Sequence, residues 1–561
     1  YWHFVSMRYR AVQNGVELSV VTGTYVVILS IDMKRATTTG LLGFAIERED
    51  HTENEKYFLK GFKYFAETAD KQYSGQLFST HEHPVQSFFW EDFTAKPLHK
   101  YTYTITPVFG KPKFLTYGAG CSATVETEVE IGETHSVFFN RGVAGSLAYA
   151  RRFGNKRPDE MSKKERDAAL AWLSRGLKEA LLAFIERGVD KRYALRAAVY
   201  EFEYHEVLNA FRQAHARGVD VKIVYDARKQ KKKNEAAIKR AKLSKTMCIP
   251  RKRDPDKIAH NKFIVLLKDG EPIEVWTGST NITEKGIFGQ CNEGHIVRDK
   301  AIVKRYLTYW DALSKDPAAD AIKKATIAIQ KDFAAKQLPD ATAVIFSPRP
   351  KTTMLGTYAD IVDSAKELVC GTFPFSFDKR LKDVLTKDTN HLKYILIDEK
   401  TKNTTLETND RDTLIAYGGY FKDSLFDWLK ETSAGKLFKS GTDFVHNKFL
   451  LIDPLARKPI TITGSANFSA NSISSNDQNT LLINGDMRVA DIYLTEFVRL
   501  FNHYYVRSVT NQQPTKAKKK GGKVRKNPIH LYTTDEWLGN FYDNEKMKAK
   551  RKMLFHNMLL A

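Results

Sequence analysis

The chain has 561 residues and a mass of 64.0 kDa, which is too long for one compact core and indicates roughly two to four domains. Its 42% hydrophobic and 27% charged residues exclude a wholly disordered protein. The net charge of +22 favours a polyanionic partner, either nucleic acid or an anionic lipid surface.

Residues 1–135 have the alternation and the β-branched enrichment of strands, most cleanly in residues 100–109. About six strands without a strong helix predict a small all-β sandwich. The run from Leu98 through Tyr101 to Ile105 resembles the penultimate strand of a fibronectin type III domain, with Tyr101 placed as its tyrosine corner. The resemblance implies a structural or interaction module.

Residues 136–335 and 336–510 repeat one layout of strand, helix and strand. In each half nearly continuous apolar strands alternate with helices, which predicts a parallel-type α/β sheet buried on both faces. Asp226 and Asp398 close the second strand of each layout. The sequence therefore predicts an internal duplication.

Residues 511–561 are predicted to form a basic linker and a helical tail, because residues 512–526 are polar and rich in lysine. Trp537 and Phe541 are expected to dock this tail onto the rest of the protein.

The candidate catalytic residues come from one pattern that occurs twice. The copies are His260-Asn261-Lys262-Phe263 with Thr277-Gly278-Ser279-Thr280-Asn281, and His446-Asn447-Lys448-Phe449 with Thr463-Gly464-Ser465-Ala466-Asn467. Because residues two apart on a strand share a face, each copy offers an imidazole, an ammonium, a hydroxyl and an amide toward one point. One copy alone is common by chance, but two copies at equal spacing on duplicated units predict a shared active site.

The pattern resembles the phospholipase D superfamily, whose signature is HxK, an Asp five residues after the Lys, and GSxN. In the second copy Asp453 lies five residues after Lys448; in the first, Leu267 takes that place and Asp269 is the nearest acid. The resemblance implies an α/β fold made of a duplicated phospholipase D-like sandwich. The two halves would form an internal pseudo-dimer, so that a monomer suffices for catalysis.

The resemblance also implies roles for the site residues. Asp453 would support the site rather than react, as would Glu293, which lies at a downstream acidic or amide position represented by Asn292-Glu293 and Gln478-Asn479. The family chemistry is a covalent phosphohistidine intermediate, with His260 as the nucleophile and His446 as acid and then base, or the reverse.

The expected chemistry requires neither metal nor cofactor. The two lysines, Lys262 and Lys448, would offset the charge of the phosphodiester and its transition state. Ser279 and Ser465 would bind phosphate oxygens, with Asn281 and Asn467 as further catalytic donors.

The substrate class stays open among three hypotheses. Twelve basic residues between Arg228 and Arg253 precede the first motif and favour a nuclease acting on DNA or RNA. A phospholipase D or phosphatidyltransferase is the alternative, since basic surfaces also bind anionic lipid. A nucleic-acid-binding protein with a dead site is the third.

The cellular compartment is predicted from the cysteines, the apolar runs and the start of the sequence. The four cysteines are far apart and form no CxxC pair, which argues against a zinc site or a disulfide framework: Cys121, Cys248, Cys291 and Cys370. The apolar runs are too short for a membrane span, and no secretory leader is recognisable after Tyr1. We therefore expect a cytoplasmic protein without a transmembrane segment.

Overall fold

The structure is a computed structural model that describes residues 8–68, 76–142, 146–402, 404–406, 411–418, 445–511 and 529–557. The predicted basic linker, residues 512–526, lies outside the described residues. Among those that are described, no helix combines the length and the apolar character needed to cross a bilayer. The predicted divisions at residues 135, 335 and 510 stay predictions.

The described residues of the N-terminal all-β region form eleven strands. They are β1 (Arg8–Gln13), β2 (Val16–Thr22), β3 (Val27–Met33), β4 (Gly43–Asp50), β5 (Glu55–Phe58), β6 (Lys60–Gly61), β7 (Phe78–Ser79), β8 (Phe89–Asp92), β9 (Lys100–Lys111), β10 (Phe114–Tyr117) and β11 (Cys121–Glu126). A sheet of order β1-β2-β3-β8 packs on one of order β10-β9-β4-β5, in which β11 also pairs with β9, and β6 with β7 forms a small ribbon. The predicted all-β region is confirmed.

Tyr101 makes the contact expected of a tyrosine corner. Its buried hydroxyl accepts a hydrogen bond from the backbone amide of Lys96, five residues upstream, at 3.0 Å. The likeness to a fibronectin type III domain as a whole stays a prediction.

The C-terminal segment packs on this sandwich. Trp537 and Phe541 are buried among its core residues, and the Trp537 indole donates to the carbonyl of Leu41 at 2.9 Å. The tail is thus attached to the N-terminal region, through aromatic side chains that sequence reasoning had singled out.

The two α/β halves account for most of the remaining elements. The first contains β12 (His135–Phe139), α1 (Leu147–Phe153), α2 (Lys163–Ser174), α3 (Leu177–Glu186), β13 (Tyr193–Val199), α4 (His205–Ala216), β14 (Asp220–Asp226), α5 (Lys231–Arg240), β15 (Cys248–Arg251), β16 (Lys262–Lys268), β17 (Glu271–Gly278), β18 (Glu293–Val297), α6 (Lys300–Ser314) and α7 (Ala319–Ile329). The second contains β19 (Thr342–Ser347), α8 (Thr353–Asp363), β20 (Leu368–Phe373), α9 (Lys379–Thr386), β21 (Leu392–Ile397), β22 (Thr413–Tyr417), β23 (Phe449–Ile452), β24 (Ile460–Gly464), α10 (Ala470–Ser474), β25 (Gln478–Asn484) and α11 (Met487–Asn511). Helix α12 (Met547–Asn557), four 3-10 turns (Arg35–Thr37, Pro158–Glu160, Ala335–Gln337 and Asp535–Phe541) and a π turn (Lys285–Gly289) complete the described structure.

The two seven-stranded sheets have the same order, β12-β18-β17-β16-β13-β14-β15 and β19-β25-β24-β23-β20-β21-β22. The predicted duplicated α/β fold is therefore confirmed. The prediction of a parallel-type sheet is wrong for part of each half: β13, β14 and β15 are parallel, whereas β16, β17 and β18 are antiparallel. Helices α4 and α5 cross between parallel neighbours, but only a two-residue turn joins β16 to β17, and that length permits only an antiparallel pair.

The two sheets face each other across one continuous core. Helices α6 and α11 lie in it, with Tyr306, Tyr309, Tyr493 and Phe497 all buried there. The outer face of the first sheet is covered by α3 and α4, and that of the second by α8 and α9. Burial on both faces explains the continuous apolar strands of the sequence.

Candidate active site

The two histidines are held reciprocally across the seam between the halves. His260 Nδ1 lies 3.1 Å from the side-chain oxygen of Gln478, and His446 Nδ1 lies 2.9 Å from that of Asn292. An amide oxygen can only accept, so each Nδ1 carries the proton and each Nε2 is the basic nitrogen. The predicted meeting of the two motifs is seen in these contacts.

Backbone contacts close the same seam. The amides of His446 and Asn447 both donate to the carbonyl of Cys291, at 3.2 and 2.8 Å. Each histidine stands just before its strand rather than on it, because β16 starts at Lys262 and β23 at Phe449. The side chains of Lys262 and Lys448 reach back to the carbonyl oxygens of His260 and His446.

Burial and positive neighbours favour the neutral form of both imidazoles. Desolvation lowers the pKa of His260 well below its usual range, and Lys262 and Lys448 lower it further. The pKa of His446 is also lowered, first by desolvation and then by the same two lysines. Burial likewise lowers the pKa of Lys262. A bound phosphodiester anion would reverse part of this effect.

The glycine of each GSxN segment permits a close backbone approach. Gly278 has φ +136° and Gly464 has φ +151°, and a Cβ at these positions would lie 2.4 Å from the carbonyl oxygen of Glu293 and 2.5 Å from that of Asn479. Only glycine fits such a place, so both strands can end against their neighbours and present Ser279 and Ser465 at the seam.

The two serines have different partners. Ser279 Oγ donates to Asn292 and Glu293, at 2.7 and 2.8 Å. Ser465 Oγ accepts from the backbone amide of Asn479 at 3.0 Å. Ser279 therefore stands in a more acidic environment than its counterpart.

Glu293 is buried at the seam and contacts both halves. Its carboxylate accepts from Ser279 of its own half at 2.8 Å and from Thr463 of the other half at 3.2 Å. Burial raises the pKa of Glu293 to about 7. The hydrogen bond from Ser279 and the charge of Lys448 oppose this increase. In the second half Asn479 takes the equivalent place, accepting from Thr277 at 2.7 Å.

The asparagines of the two motifs also differ. Asn281 Nδ2 donates to the carboxylate of buried Glu201 at 2.6 Å. The side-chain oxygens of Asn281 and Asn467 are buried, and neither has a hydrogen-bond partner among the described residues. Buried polar atoms without partners are rare in folded proteins, and their presence here fits a site that a polar ligand completes.

Asp453 lies away from the histidines. It follows β23, roughly 16 Å along an extended chain from Lys448, and its carboxylate accepts from the backbone amides of Lys366, Glu367 and Leu368. These contacts fix the start of β20, and the predicted supporting role of Asp453 in catalysis stays a prediction. Asp269, in the equivalent turn of the first half, is exposed.

Asp226 and Asp398 have equivalent contacts that sequence reasoning did not assign. Asp226 accepts from the amide of Ala259 at 2.9 Å, and Asp398 from the amide of Val445 at 2.7 Å. Each aspartate thus fixes the residue that precedes a histidine. Their equivalent positions at two strand ends were the available signal.

Gln478 and Asn292 were recognised by position, but their contacts were not. Both stand 32 residues after the histidine of their own half, and each contacts the histidine of the other half. Equal spacing indicates that the two residues have the same role. Only the three-dimensional structure shows that each contacts the histidine of the other half.

The basic segment before His260 divides into buried and exposed residues. Arg228 and Arg251 form ion pairs with Asp477 of the second half, and all three side chains are 1% exposed. These two arginines join the halves and are not part of the exposed basic surface. Ten basic residues are exposed: Lys229, Lys231, Lys232, Lys233, Lys239, Arg240, Lys242, Lys245, Lys252 and Arg253.

Residues 187–313 and 420–501 match the family model described as cardiolipin synthase, phospholipase D-like domain. The fold is a duplicated phospholipase D-like domain. No curated protein matches the chain in sequence.

The chain is similar to several solved structures at low identity. Phosphatidylserine synthase of Haemophilus influenzae Rd KW20 is 14% identical, with 68% of this chain and 93% of that one covered and a TM-score of 0.40. Polyphosphate kinase of Porphyromonas gingivalis is 10% identical, with a TM-score of 0.40, and the match covers 57% of this chain and 45% of the kinase. Yeast tyrosyl-DNA phosphodiesterase is 14% identical, covering 54% and 85%, with a TM-score of 0.30.

Proposed function

We propose that the protein is a metal-independent phosphodiesterase that acts through a phosphohistidine intermediate. The observation that carries the proposal is the pair of buried imidazoles, each oriented through Nδ1 by an amide oxygen of the other half. Two basic Nε2 atoms at one seam suit a double displacement, in which one attacks phosphorus and the other protonates the leaving oxygen.

In the proposed reaction His260 Nε2 forms a bond to phosphorus, and the bond from phosphorus to the leaving oxygen breaks. His446, protonated when the anionic substrate binds, gives its proton to that oxygen. His446 then takes a proton from water, whose oxygen attacks phosphorus and releases His260. Lys262 and Lys448 offset the charge on the non-bridging oxygens, as Ser279 and Ser465 do by hydrogen bonding.

A nucleic acid is the substrate that we propose. The chain carries +22, and ten exposed basic residues lie in the segment that leads to His260. Such a surface suits the regularly spaced phosphates of DNA or RNA. A phospholipid is the second candidate, since the matching family model is described by a cardiolipin synthase.

The test is hydrolysis by the 561-residue chain in the presence of EDTA, using plasmid, single-stranded DNA, RNA, bis-p-nitrophenyl phosphate and phosphatidylcholine vesicles. We expect cleavage of a nucleic acid, with loss of at least about 1,000-fold in His260→Ala and His446→Ala. His205→Ala, at an exposed position on α4, is the matched control. Head-group release without nucleic-acid cleavage would favour the lipid, and binding of DNA without any hydrolysis would favour a dead site.

A further inference from the structure

The pseudo-symmetry of the site also fails at the position where Glu201 contacts Asn281. Ala197 pairs with Ile264 and Gly371 pairs with Leu450, which makes these residues equivalent in the two sheets. Four residues further along the chain stand Glu201 in the first half and Phe375 in the second. A carboxylate on one side of the seam is therefore replaced by a phenyl ring on the other.

The Glu201 carboxylate is buried and has polar partners, whereas the Phe375 ring is exposed to solvent. The Glu201 carboxylate accepts from Asn281 at 2.6 Å and lies 3.8 Å from the ammonium of Lys285. Phe375 is 43% exposed, and its ring centroid lies 6.5 Å from that of His446, with the two rings nearly perpendicular. A large apolar ring is thus available beside one of the two reacting groups.

The loop that carries Phe375 is anchored on both sides. Phe373 and Phe377 stack on each other with centroids 4.0 Å apart, and Phe377 is buried. Asp378 then caps α9 by accepting from the amide of Arg380 at 3.0 Å. With these contacts fixed on either side of it, Phe375 is presented to solvent by an ordered support.

The described residues of the first half include no equivalent exposed ring. Tyr200 packs on His260 with ring centroids 4.9 Å apart, and the ammonium of Lys262 lies 5.3 Å from its centroid. Its hydroxyl accepts from the side chain of Gln230 at 3.2 Å. Tyr200 is used to support the catalytic groups, so the two sides of the scissile phosphate would meet different surfaces.

We propose that Phe375 is the stacking surface for a nucleobase attached to the scissile phosphate on the His446 side. The proposal rests on the proposed phosphodiesterase function. Flat rings bind bases by stacking whatever the base, so the substrate class is a single-stranded nucleic acid or a nucleotide ester. Phe375 thereby determines specificity without taking part in proton transfer.

Among the residues that the structure describes, Phe375 is a single exposed ring beside His446, and a single ring suits a base better than an acyl chain. Among the described residues of the second half, the exposed large apolar side chains are Phe375 and Met487. Met487 begins α11 just beyond the end of β25 that lies away from Gln478, so it is at the opposite edge of the sheet. A lipid tail needs a continuous apolar surface, whereas one base needs one ring.

The test compares two methyl phosphodiesters that differ only in the group released on the His446 side, methyl thymidine 5′-phosphate and its base-free analogue methyl 1,2-dideoxyribose 5′-phosphate, and it measures release of the nucleoside or of the sugar. We expect Phe375→Ala to lower the ratio of their kcat/KM values by about 5- to 150-fold, which is the range for one stacked base. Phe375→Trp should restore the ratio and Phe375→Leu should not. Phe114→Ala, which removes an exposed phenyl group from the N-terminal sandwich, is the matched control.

Three results would overturn the proposal: an unchanged ratio in Phe375→Ala, equal rescue by leucine and tryptophan, or a loss confined to head-group release from phosphatidylglycerol vesicles. If the wild type hydrolyses neither ester, the phosphodiesterase proposal fails by itself. Binding of thymidine 5′-monophosphate and methyl phosphate, measured by calorimetry, then decides the role of Phe375. Weaker binding of the nucleotide alone in Phe375→Ala supports stacking, and equal binding contradicts it.

Discussion

Gln478→Glu is a sharp test of the roles of the two histidines. Gln478 holds His260 Nδ1 at 3.1 Å, and its own Nε2 has no hydrogen-bond partner among the described residues. The substitution keeps the size of the side chain and removes no donor that the fold uses. Its main effect is to place a negative charge next to His260 Nδ1, which stabilises the imidazolium form of His260.

The geometry sets the size of the effect. Unit charges 3.1 Å apart attract by about 5 kcal/mol at an effective dielectric constant of 20. Part of this attraction is lost because the new carboxylate is itself buried. Opposite charges this close commonly shift a pKa by about 1–3 units. We therefore expect the pKa of His260 to rise by about 1–3 units from its lowered wild-type position.

The assay is the pH dependence of kcat/KM on bis-p-nitrophenyl phosphate. A nucleophilic His260 must be neutral, so the acidic limb of the profile should move to higher pH by about 1–3 units while the alkaline limb stays. Gln213→Glu, which makes the same change on an exposed position of α4, should move neither limb. A shift of the alkaline limb would mean that His260 is the acid, and a folded variant with an unmoved profile would refute the reasoning.

Three further effects concern stability, measured by urea unfolding. Asp477→Asn should lower the unfolding free energy by about 3–5 kcal/mol, because it leaves buried Arg228 without its anion and Arg251 paired with Asp316 alone. Glu293→Gln should gain stability relative to the wild type as pH rises. The folded-state pKa of Glu293 is about 7, above the unfolded value, so the wild type loses up to about 3 kcal/mol between pH 4.5 and 7. Asp453→Asn should lower stability by about 1–3 kcal/mol and leave kcat within about twofold, since its carboxylate serves backbone amides.

Matched variants separate these effects from general damage. Asp220→Asn breaks an ion pair in which the aspartate is 55% exposed, and should change stability by less than about 1 kcal/mol. A loss in Asp477→Asn no larger than this would contradict the buried-pair argument. Asp269→Asn, in an exposed turn with φ +50°, is the control for Asp453. A pH-independent difference between wild type and Glu293→Gln would mean that Glu293 does not titrate in this range.

The duplicated fold was predictable because local patterns in the sequence indicate it. Apolar strands separated by helices recur in both halves, and equal spacing within the two motifs ties them to equivalent strands. The direction of the strands was harder to predict. An apolar run such as β16 is compatible with either direction, and the turn that makes it antiparallel to β17 is only two residues long.

The residues of the candidate site could be proposed from the sequence, whereas their contacts could not. His260 and His446 were recognisable from spacing, but no local pattern states that Gln478 contacts the first and Asn292 the second. Arg228 and Arg251 illustrate the same limit. A run of basic residues is usually interpreted as a solvated surface. Only the packing of the second half shows that Arg228 and Arg251 are buried against Asp477.

The crossed amide contacts have a consequence for how such a site can diverge. In a symmetric homodimer, any substitution that retunes one imidazole retunes both, because the same residue occurs at each half-site. Here Gln478 acts on His260 and Asn292 acts on His446, through side chains of different length. Because the two halves are joined in one chain, a mutation can change the surroundings of one imidazole and leave those of the other unchanged.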